Sequence, residues 1–295
     1  MFDLSGADVW GRVNPDFCGF PTVSFAADVV VLGRSTPAAQ TILLDTALNP
    51  LLDASDFGHP SEAGARLNLT FFDQWDWDFM FDVLFMGDAS SSRRVDASNG
   101  ITLFFYQGVA ADPVNTAAFR SDLDTGEFNV RRRFGSQLAL VGGVRYLELS
   151  ESLNFDNNSG NGGYASQSDN RLFGGQLGAE GMLPLGGFGR LFATGKYGIF
   201  NNRYMVAAQA TSGGAPISIS VRDDMAAYVG ELNAGWEVQT VPCMTLRFGY
   251  QAYYLTNMAL TTDQLNQFSI FTADGTVRKG YAVFHGGFGG LVFTF

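Results

Sequence analysis

The sequence WDWDFMFDVLF, residues 75–85, places a large apolar side chain at every odd position and an aspartate at three of the even positions. Successive side chains of a β-strand point to opposite faces, whereas a helix would mix the two sets. The pattern therefore predicts a strand with one apolar face and one acidic face. Such a strand fits a soluble β-sandwich, with the aromatics in the core, or a membrane barrel, with the aromatics against lipid.

Composition narrows the class of protein. The 295 residues are 14% aromatic and only 16% charged, and 36 of them are glycine. Soluble domains usually carry roughly a quarter charged residues, so this deficit favours a surface that faces lipid. The net charge of −11 argues against nucleic acid as a partner, because binding its backbone requires clustered Lys and Arg. Apolar runs fall short of the roughly 20 residues of a membrane helix, which excludes a helical membrane protein.

The same two-residue period recurs along the chain and predicts ten strands. They cover about residues 22–33, 62–72, 75–85, 121–134, 137–150, 170–183, 190–199, 226–239, 245–254 and 278–295. Long and short connections alternate between them without exception. This alternation is typical of an all-β, up-and-down antiparallel transmembrane barrel with short periplasmic turns and long extracellular loops. The sequence therefore predicts a barrel in the bacterial outer membrane with both termini in the periplasm.

Two regions leave alternatives open. Residues 22–295 are expected to form the barrel, whereas residues 1–21 show no alternation and could form a periplasmic segment or a plug. Residues 101–107 (ITLFFYQ) could raise the strand count to twelve or form an apolar patch on an outer loop, which the alternation of connection lengths favours. The N-terminal residues lack a basic stretch followed by an apolar one, so an exported protein would have lost its leader before this numbering begins.

The alternation assigns each side chain to a face of the barrel. Seven acidic and seven basic side chains are expected to line the lumen: Asp76, Asp78, Asp82, Glu127, Glu180, Glu231 and Glu237 with Arg66, Arg131, Arg133, Arg145, Arg190, Lys196 and Arg247. Aromatic side chains of the opposite parity are expected to face lipid: Trp75, Trp77, Phe79, Phe81, Tyr228, Trp236, Phe248 and Tyr250. A ten-stranded barrel is narrow, so a charge-balanced interior favours a network of ion pairs over a wide aqueous channel.

The two cysteines fall on the same side of the predicted barrel. Cys18 precedes the first strand, and Cys243 lies in a predicted periplasmic turn. Because the periplasm is oxidising, the pair could form a disulfide that ties the N-terminal segment across the barrel mouth. Two separate thiols are the alternative.

At its C-terminus the chain resembles a known class of proteins. The ending GGLVFTF places Leu291, Phe293 and Phe295 in the alternation that looks like the assembly signal of bacterial outer-membrane barrels. GVRYLEL (143–149) and NRLFGGQLGAEG (170–181) are similar to the barrel porins of planctomycete and Legionella-type bacteria. The resemblance covers roughly residues 130–295. It implies an outer-membrane porin that contacts the barrel-assembly machinery, and it carries no catalytic residue.

Two functions remain open at this point. The first is a narrow pore for ions or small solutes, and the second is a non-conducting structural or surface-interaction barrel. In the second, the acidic outer loops would bind cations, a neighbouring subunit in an oligomer or surface array, or another surface. We expect no metal, no cofactor and no enzymatic activity, because the chain has only His59 and His285, and His285 has the outward parity.

Overall fold

A computed structural model describes residues 22–45, 47–58, 61–73, 75–96, 102–104, 110–111, 114–157, 162–212, 215–265, 267–269 and 274–295. Ten long β-strands dominate this part of the chain: β1 (Val23–Arg34), β2 (Ser61–Phe72), β3 (Trp77–Met86), β4 (Val114–Phe134), β5 (Leu138–Asn157), β6 (Gly162–Pro184), β7 (Arg190–Ser212), β8 (Ala215–Val241), β9 (Met244–Met258) and β10 (Gly280–Thr294). Among the described residues, no helix is long and apolar enough to span a membrane.

The ten strands close into a barrel. Each pairs antiparallel with its neighbours in sequence, and β10 also pairs with β1, where Leu291 lies opposite Ala27. The segment Thr102–Phe104 does not enter this ring, because it pairs with Thr41–Leu44 in a separate four-stranded sheet. In the part of the chain that the structure describes, the barrel therefore has ten strands rather than the alternative of twelve.

Short turns join the strands at one end of the barrel. Among the described residues they comprise 73, 75–76, 135–137, 185–189 and 242–243, and the C-terminal Phe295 lies at the same end. Trp75 and Asp76 belong to the first of these turns rather than to β3, which corrects their predicted positions on a strand. Asp76 has a left-handed backbone (φ 64°), and its side chain is 62% exposed, so it lies outside the lumen.

Strand length divides the barrel into two halves. Strands β4 to β8 contain 20 to 27 residues, whereas β1, β2, β3, β9 and β10 contain 10 to 15. A tilted strand needs only about 9–11 residues to cross a bilayer. We call the parts of β4 to β8 that extend outward beyond this length the outer wall. Much of what the sequence predicted as long loops is therefore strand.

A smaller sheet covers the inner face of the outer wall. It contains Thr41–Leu44, Pro50–Asp53, Thr102–Phe104 and Ala110–Ala111, and we call residues 41–57 together with this sheet the cap. Ile42, Leu43 and Phe57 of the cap are buried in one apolar cluster with Phe119 and Phe155 of the wall. A further strand, Ala89–Asp96, pairs with the outer part of β4 and so continues β3 after a break. The outer part of the protein therefore has a dry core of its own.

Candidate functional site: the barrel lumen

Arg145 lies at the centre of a buried ionic cluster in the lumen. Its guanidinium donates to carboxylates from two other strands, Glu127 of β4 and Glu231 of β8. Lys196 Nζ contacts the same two carboxylates, at 2.8 Å from Glu127 Oε2 and 3.0 Å from Glu231 Oε2. Arg66 reaches across from β2, with Nε 2.8 Å from Asp82 Oδ2 and Nη2 3.8 Å from Glu231 Oε1. Charges from six strands therefore meet across the lumen.

Further ion pairs surround this cluster toward the periplasmic end. Arg131 bridges Asp78 at 2.8 Å and Glu180 at 3.0 Å, and Arg190 contacts Glu237 at 2.5 Å. Each pair joins different strands, so the ionic contacts link the barrel wall around its circumference. Buried ion pairs of this kind require a partner for every charge, because an isolated charge is expensive to desolvate.

Every predicted lumen residue except Asp76 has its side chain directed inward and at least half-buried. Sequence analysis missed Asp28 of β1, which accepts from Arg247 Nε at 2.7 Å. Asp28 therefore replaces Asp76 in the predicted set, which keeps seven acids and seven bases. The signal was present in the sequence, since Asp28 has the opposite parity to Phe25, Val29 and Val31. The buried pair of Arg34 and Glu151, nearer the outer end of the barrel, was also missed.

The predicted lipid-facing aromatics of the strands all point outward. Trp77, Phe79, Phe81, Phe248 and Tyr250 are 41–51% exposed, and Tyr228 and Trp236 are half-buried between neighbouring side chains. Phe79 and Phe81 contact the Phe128 ring, at centroid distances of 6.5 Å and 4.9 Å. On β3, Asp78 and Asp82 therefore pair with arginines inside the barrel, and the aromatic side chains face lipid on the other side of the same strand.

An apolar layer crosses the lumen immediately outside the ionic cluster. Every strand except β2 contributes to it, and its members include Leu32, Leu84, Leu123, Leu147, Leu172, Phe200, Val229, Leu255 and Phe284. These side chains are no more than 4% exposed. Sequence analysis had not predicted this layer.

Above the apolar layer, the segment between β9 and β10 folds into the barrel. Residues 259–265 are all buried, and we call them the inward loop. The Asn170 side-chain amide pairs with both backbone groups of Ala259: Nδ2 donates to the carbonyl at 2.8 Å, and Oδ1 accepts from the N–H at 2.8 Å. Thr261 N donates to Glu151 Oε2 at 3.0 Å. The inward loop is thus attached to the wall by side chains of β5 and β6.

Glu151 is itself paired across the barrel. Its Oε1 lies 2.6 Å from Arg34 Nη2, and both side chains are buried. Burial raises the pKa of the Glu151 carboxyl, while the Arg34 guanidinium and the Thr261 N–H lower it. This contact joins the outer end of β1 to the outer wall.

Several predicted features lie elsewhere or cannot be placed. His285 is exposed on the outer surface of β10, where its Nδ1 lies 2.7 Å from the Tyr250 hydroxyl. Residues 1–21, including Cys18, and His59 lie outside the described residues, so the N-terminal plug and the bridge to Cys243 stay predictions. Leu291, Phe293 and Phe295 end the chain on the outward parity of β10, and their role in assembly also stays a prediction.

Comparison with known proteins places this architecture in a class. The outer-membrane protease OmpT of Escherichia coli is 11% identical over 93% of this chain and 97% of its own, with a TM-score of 0.52. The translocator domain of NalP from Neisseria meningitidis is 10% identical over 93% and 89%, with a TM-score of 0.47. The toluene transporter TodX of Pseudomonas putida is 13% identical over 99% and 93%, with a TM-score of 0.37. No family model and no curated protein matches the chain.

The chain is a β-barrel protein of the bacterial outer membrane. Likenesses at this level of identity show the fold alone, and none supports the resemblance to one type of porin. The expectation that the protein is not an enzyme is corrected, because the same fold carries a protease in OmpT. The fold therefore gives no ground for excluding enzymatic activity.

Proposed function

We propose that this protein is a non-conducting outer-membrane barrel that displays the outer wall as an interaction surface outside the cell. One observation carries the proposal: three successive barriers fill the lumen. The ionic cluster, the apolar layer and the inward loop lie one above the other along the barrel axis, and each is buried. A solute would have to displace all three to cross.

The apolar layer is the strongest of these barriers to ions. A hydrophobic constriction excludes water, and an ion that enters it loses its hydration shell. Charged residues nearby do not replace that shell, because they are already paired with each other in the ionic cluster. The interior therefore suits a rigid support more than a passage.

The outer wall offers a broad surface for contact. On its outer face, Ser152, Gln167, Ala207 and Ser220 lie directly opposite one another on four adjacent strands. None of these side chains is charged and three of them are polar, so the surface they form can donate and accept hydrogen bonds. The cap fixes this wall from behind, because its apolar residues pack on the inner face.

Planar-bilayer recording tests the proposal. We expect the wild-type protein to give no stable open level at moderate voltage. A control variant replaces residues 259–265 with a Gly/Ser segment of equal length and carries Phe200→Ser, Phe284→Ser, Glu127→Ser and Arg145→Ser. It should conduct, because it lacks the inward loop and opens both the apolar layer and the ionic cluster. Conduction by this variant shows that the barrels have inserted. A stable open level of wild-type protein would contradict the proposal.

A narrow pore for small ions is the second candidate. It is favoured by the periplasmic half of the lumen, where the Arg66, Arg190 and Arg247 side chains are 13%, 21% and 16% exposed. The inward loop is held by hydrogen bonds to Asn170 and Glu151. Because these contacts are noncovalent, the loop could leave the lumen and return to it. If wild-type protein conducts, replacement of the inward loop alone should raise the conductance.

A further inference from the structure

A continuous row of charged side chains crosses the outer surface of five strands. Asp124, Glu148, Arg171, Arg203 and Asp224 are direct register partners from β4 to β8. All have the outward parity of their strands. The row therefore forms a belt around half of the barrel at one level of the strand register.

The row marks the edge of the lipid-facing surface. One step toward the periplasm on the same face, the outward side chains include Tyr146 and Phe173, and Ile199 lies in the step after that. Phe173 and Ile199 are 62% and 60% exposed, as expected of side chains that contact acyl chains. Charged groups directly outside such a band lie at the depth of the lipid headgroups.

Arg171 and Arg203 occupy the middle of the row and face each other across a strand pair. Like charges directly opposite one another in a sheet are destabilising. Each Nε is held by a carboxylate on the far side: Arg171 by Glu148 at 3.1 Å, and Arg203 by Asp224 at 3.4 Å. Only the Nε of each arginine is engaged in these contacts, and the two guanidinium side chains, 61% and 78% exposed, lie on adjacent strands of the outer surface.

We propose that Arg171 and Arg203 together bind a phosphate on a lipid headgroup of the outer leaflet. Guanidinium groups donate two parallel hydrogen bonds to phosphate oxygens, and a shared anion removes the repulsion between the two arginines. Arg222 lies on the neighbouring strand diagonally from Arg203, because it pairs with Met205, and adds a third positive charge.

The surroundings favour a lipid over free phosphate. Glu148, Asp224 and Asp169 neutralise the three arginines locally, which weakens attraction of a dissolved anion. A lipid phosphate is instead delivered to this depth by its acyl chains, which contact Phe173 and Ile199. The site therefore binds a phosphate that arrives with an apolar tail.

Native mass spectrometry of the full chain in zwitterionic nanodiscs tests the proposal. The probes are diphosphoryl lipid A and its dephosphorylated form. Wild-type protein should retain the phosphorylated lipid preferentially, and Arg171→Gln with Arg203→Gln should weaken this preference about 25-fold, at roughly fivefold for each arginine. Arg120→Gln is the matched control, because Arg120 is an exposed, ion-paired arginine on the same outer face of β4, farther from the lipid band. It should keep the wild-type preference.

For a second variant, the proposal predicts a change of opposite sign in the retention of the phosphorylated lipid. Glu148→Gln with Asp224→Asn removes the two carboxylates and should strengthen retention of the phosphorylated lipid. Equal retention of both lipids by wild-type protein, an unchanged preference in the double arginine variant, or weaker retention in the carboxylate variant would overturn the proposal. Displacement of the lipid by millimolar inorganic phosphate would also overturn it, because the site would then bind free phosphate. None of these outcomes depends on whether the lumen conducts.

Discussion

The two ends of strand β5 have opposite polarity although the strand keeps one alternation. Toward the periplasm, Leu138 and Leu140 face outward and are about half exposed, while Arg145 faces inward and is buried. In the outer wall, Ser152 and Asn154 face outward, while Leu153 and Phe155 are buried on the inner face. The inner face of β4 changes in the same way: it carries the charged Arg131 toward the periplasm and the apolar Phe119 in the outer wall.

This difference follows from the solvent on the outside of the barrel. Where lipid surrounds the strand, apolar side chains are stable outside and the charged ones must pair inside. Where water surrounds it, the sheet follows the rule of soluble proteins, with apolar side chains in a core. One continuous strand therefore serves as a membrane strand and as a sandwich strand, and the change occurs at the row that contains Glu148.

The largest test concerns the ionic cluster of the membrane half. Arg145→Leu leaves Glu127 and Glu231 close together with one fewer cation. We expect the free energy of unfolding to fall by about 3–5 kcal/mol, as measured by urea unfolding in lipid vesicles. Arg203→Leu, which breaks the exposed pair with Asp224, should cost about 1 kcal/mol or less. Similar losses in the two variants would contradict a difference between the halves.

The second test places one charge at two heights on the same face of β5. Val144→Arg exposes a guanidinium to lipid near the middle of the band, since Val144 faces outward and is 44% exposed, and should destabilise the inserted barrel by about 2–4 kcal/mol. Ser152→Arg places the same group in water on the outer wall and should change stability by about 0.5 kcal/mol or less. Unfolding titrations in vesicles measure both. A large effect of Ser152→Arg would place the lipid boundary farther out than the row of charges does.

The third test concerns the dry core of the outer half. Burial raises the pKa of Tyr164 to about 12 from its usual 10.0. Because the folded protein holds this proton more tightly than the unfolded chain, its stability should fall as pH rises from about 10 to 12. The decrease relative to Tyr164→Phe should reach about 2–3 kcal/mol. The free energy of unfolding of both proteins is measured between pH 9 and 12. If it depends on pH in the same way in both, Tyr164 is accessible to water.

The smallest test concerns the attachment of the inward loop. Asn170→Leu leaves the N–H and carbonyl of Ala259 without this partner and should destabilise the loop by about 1–3 kcal/mol. Limited proteolysis mapped by mass spectrometry should then detect cleavage within residues 259–265. Asn154→Leu, at an exposed position of the wall, is the control. Equal resistance of all three proteins would mean that other contacts suffice to hold the loop.

The sequence was sufficient to predict the barrel, its ten strands and the inward charges of its membrane half. These depend on a local two-residue period, as in the stretch from Trp77 to Phe85. The outer wall was missed because the two-residue period continues past Glu148, but the apolar side chains move from the outward positions to the inward ones. A search for strands with apolar outward positions therefore ends the strand there. The predicted end of strand β5 near Ser150, against Asn157 in the structure, shows this directly.

Other contacts depend on neighbours that sequence spacing does not reveal. Asn170 and Ala259 are 89 positions apart, and the 117 positions between Arg34 and Glu151 likewise show no pattern. Their pairing depends on the folding of the inward loop into the barrel. Trp75 and Asp76 were misplaced because a turn can continue the alternation of the strand that follows it.

The cap has a consequence for how the protein matures. Its sheet joins Thr41–Leu44 to Thr102–Phe104, and the hairpin of β2 and β3 lies between these segments along the chain. Both segments reach the cell exterior only when that hairpin has been threaded through the bilayer. Docking of the cap therefore requires that the hairpin of β2 and β3 has crossed, and in a copy that stalls before this stage the apolar inner face of the outer wall lacks its cover.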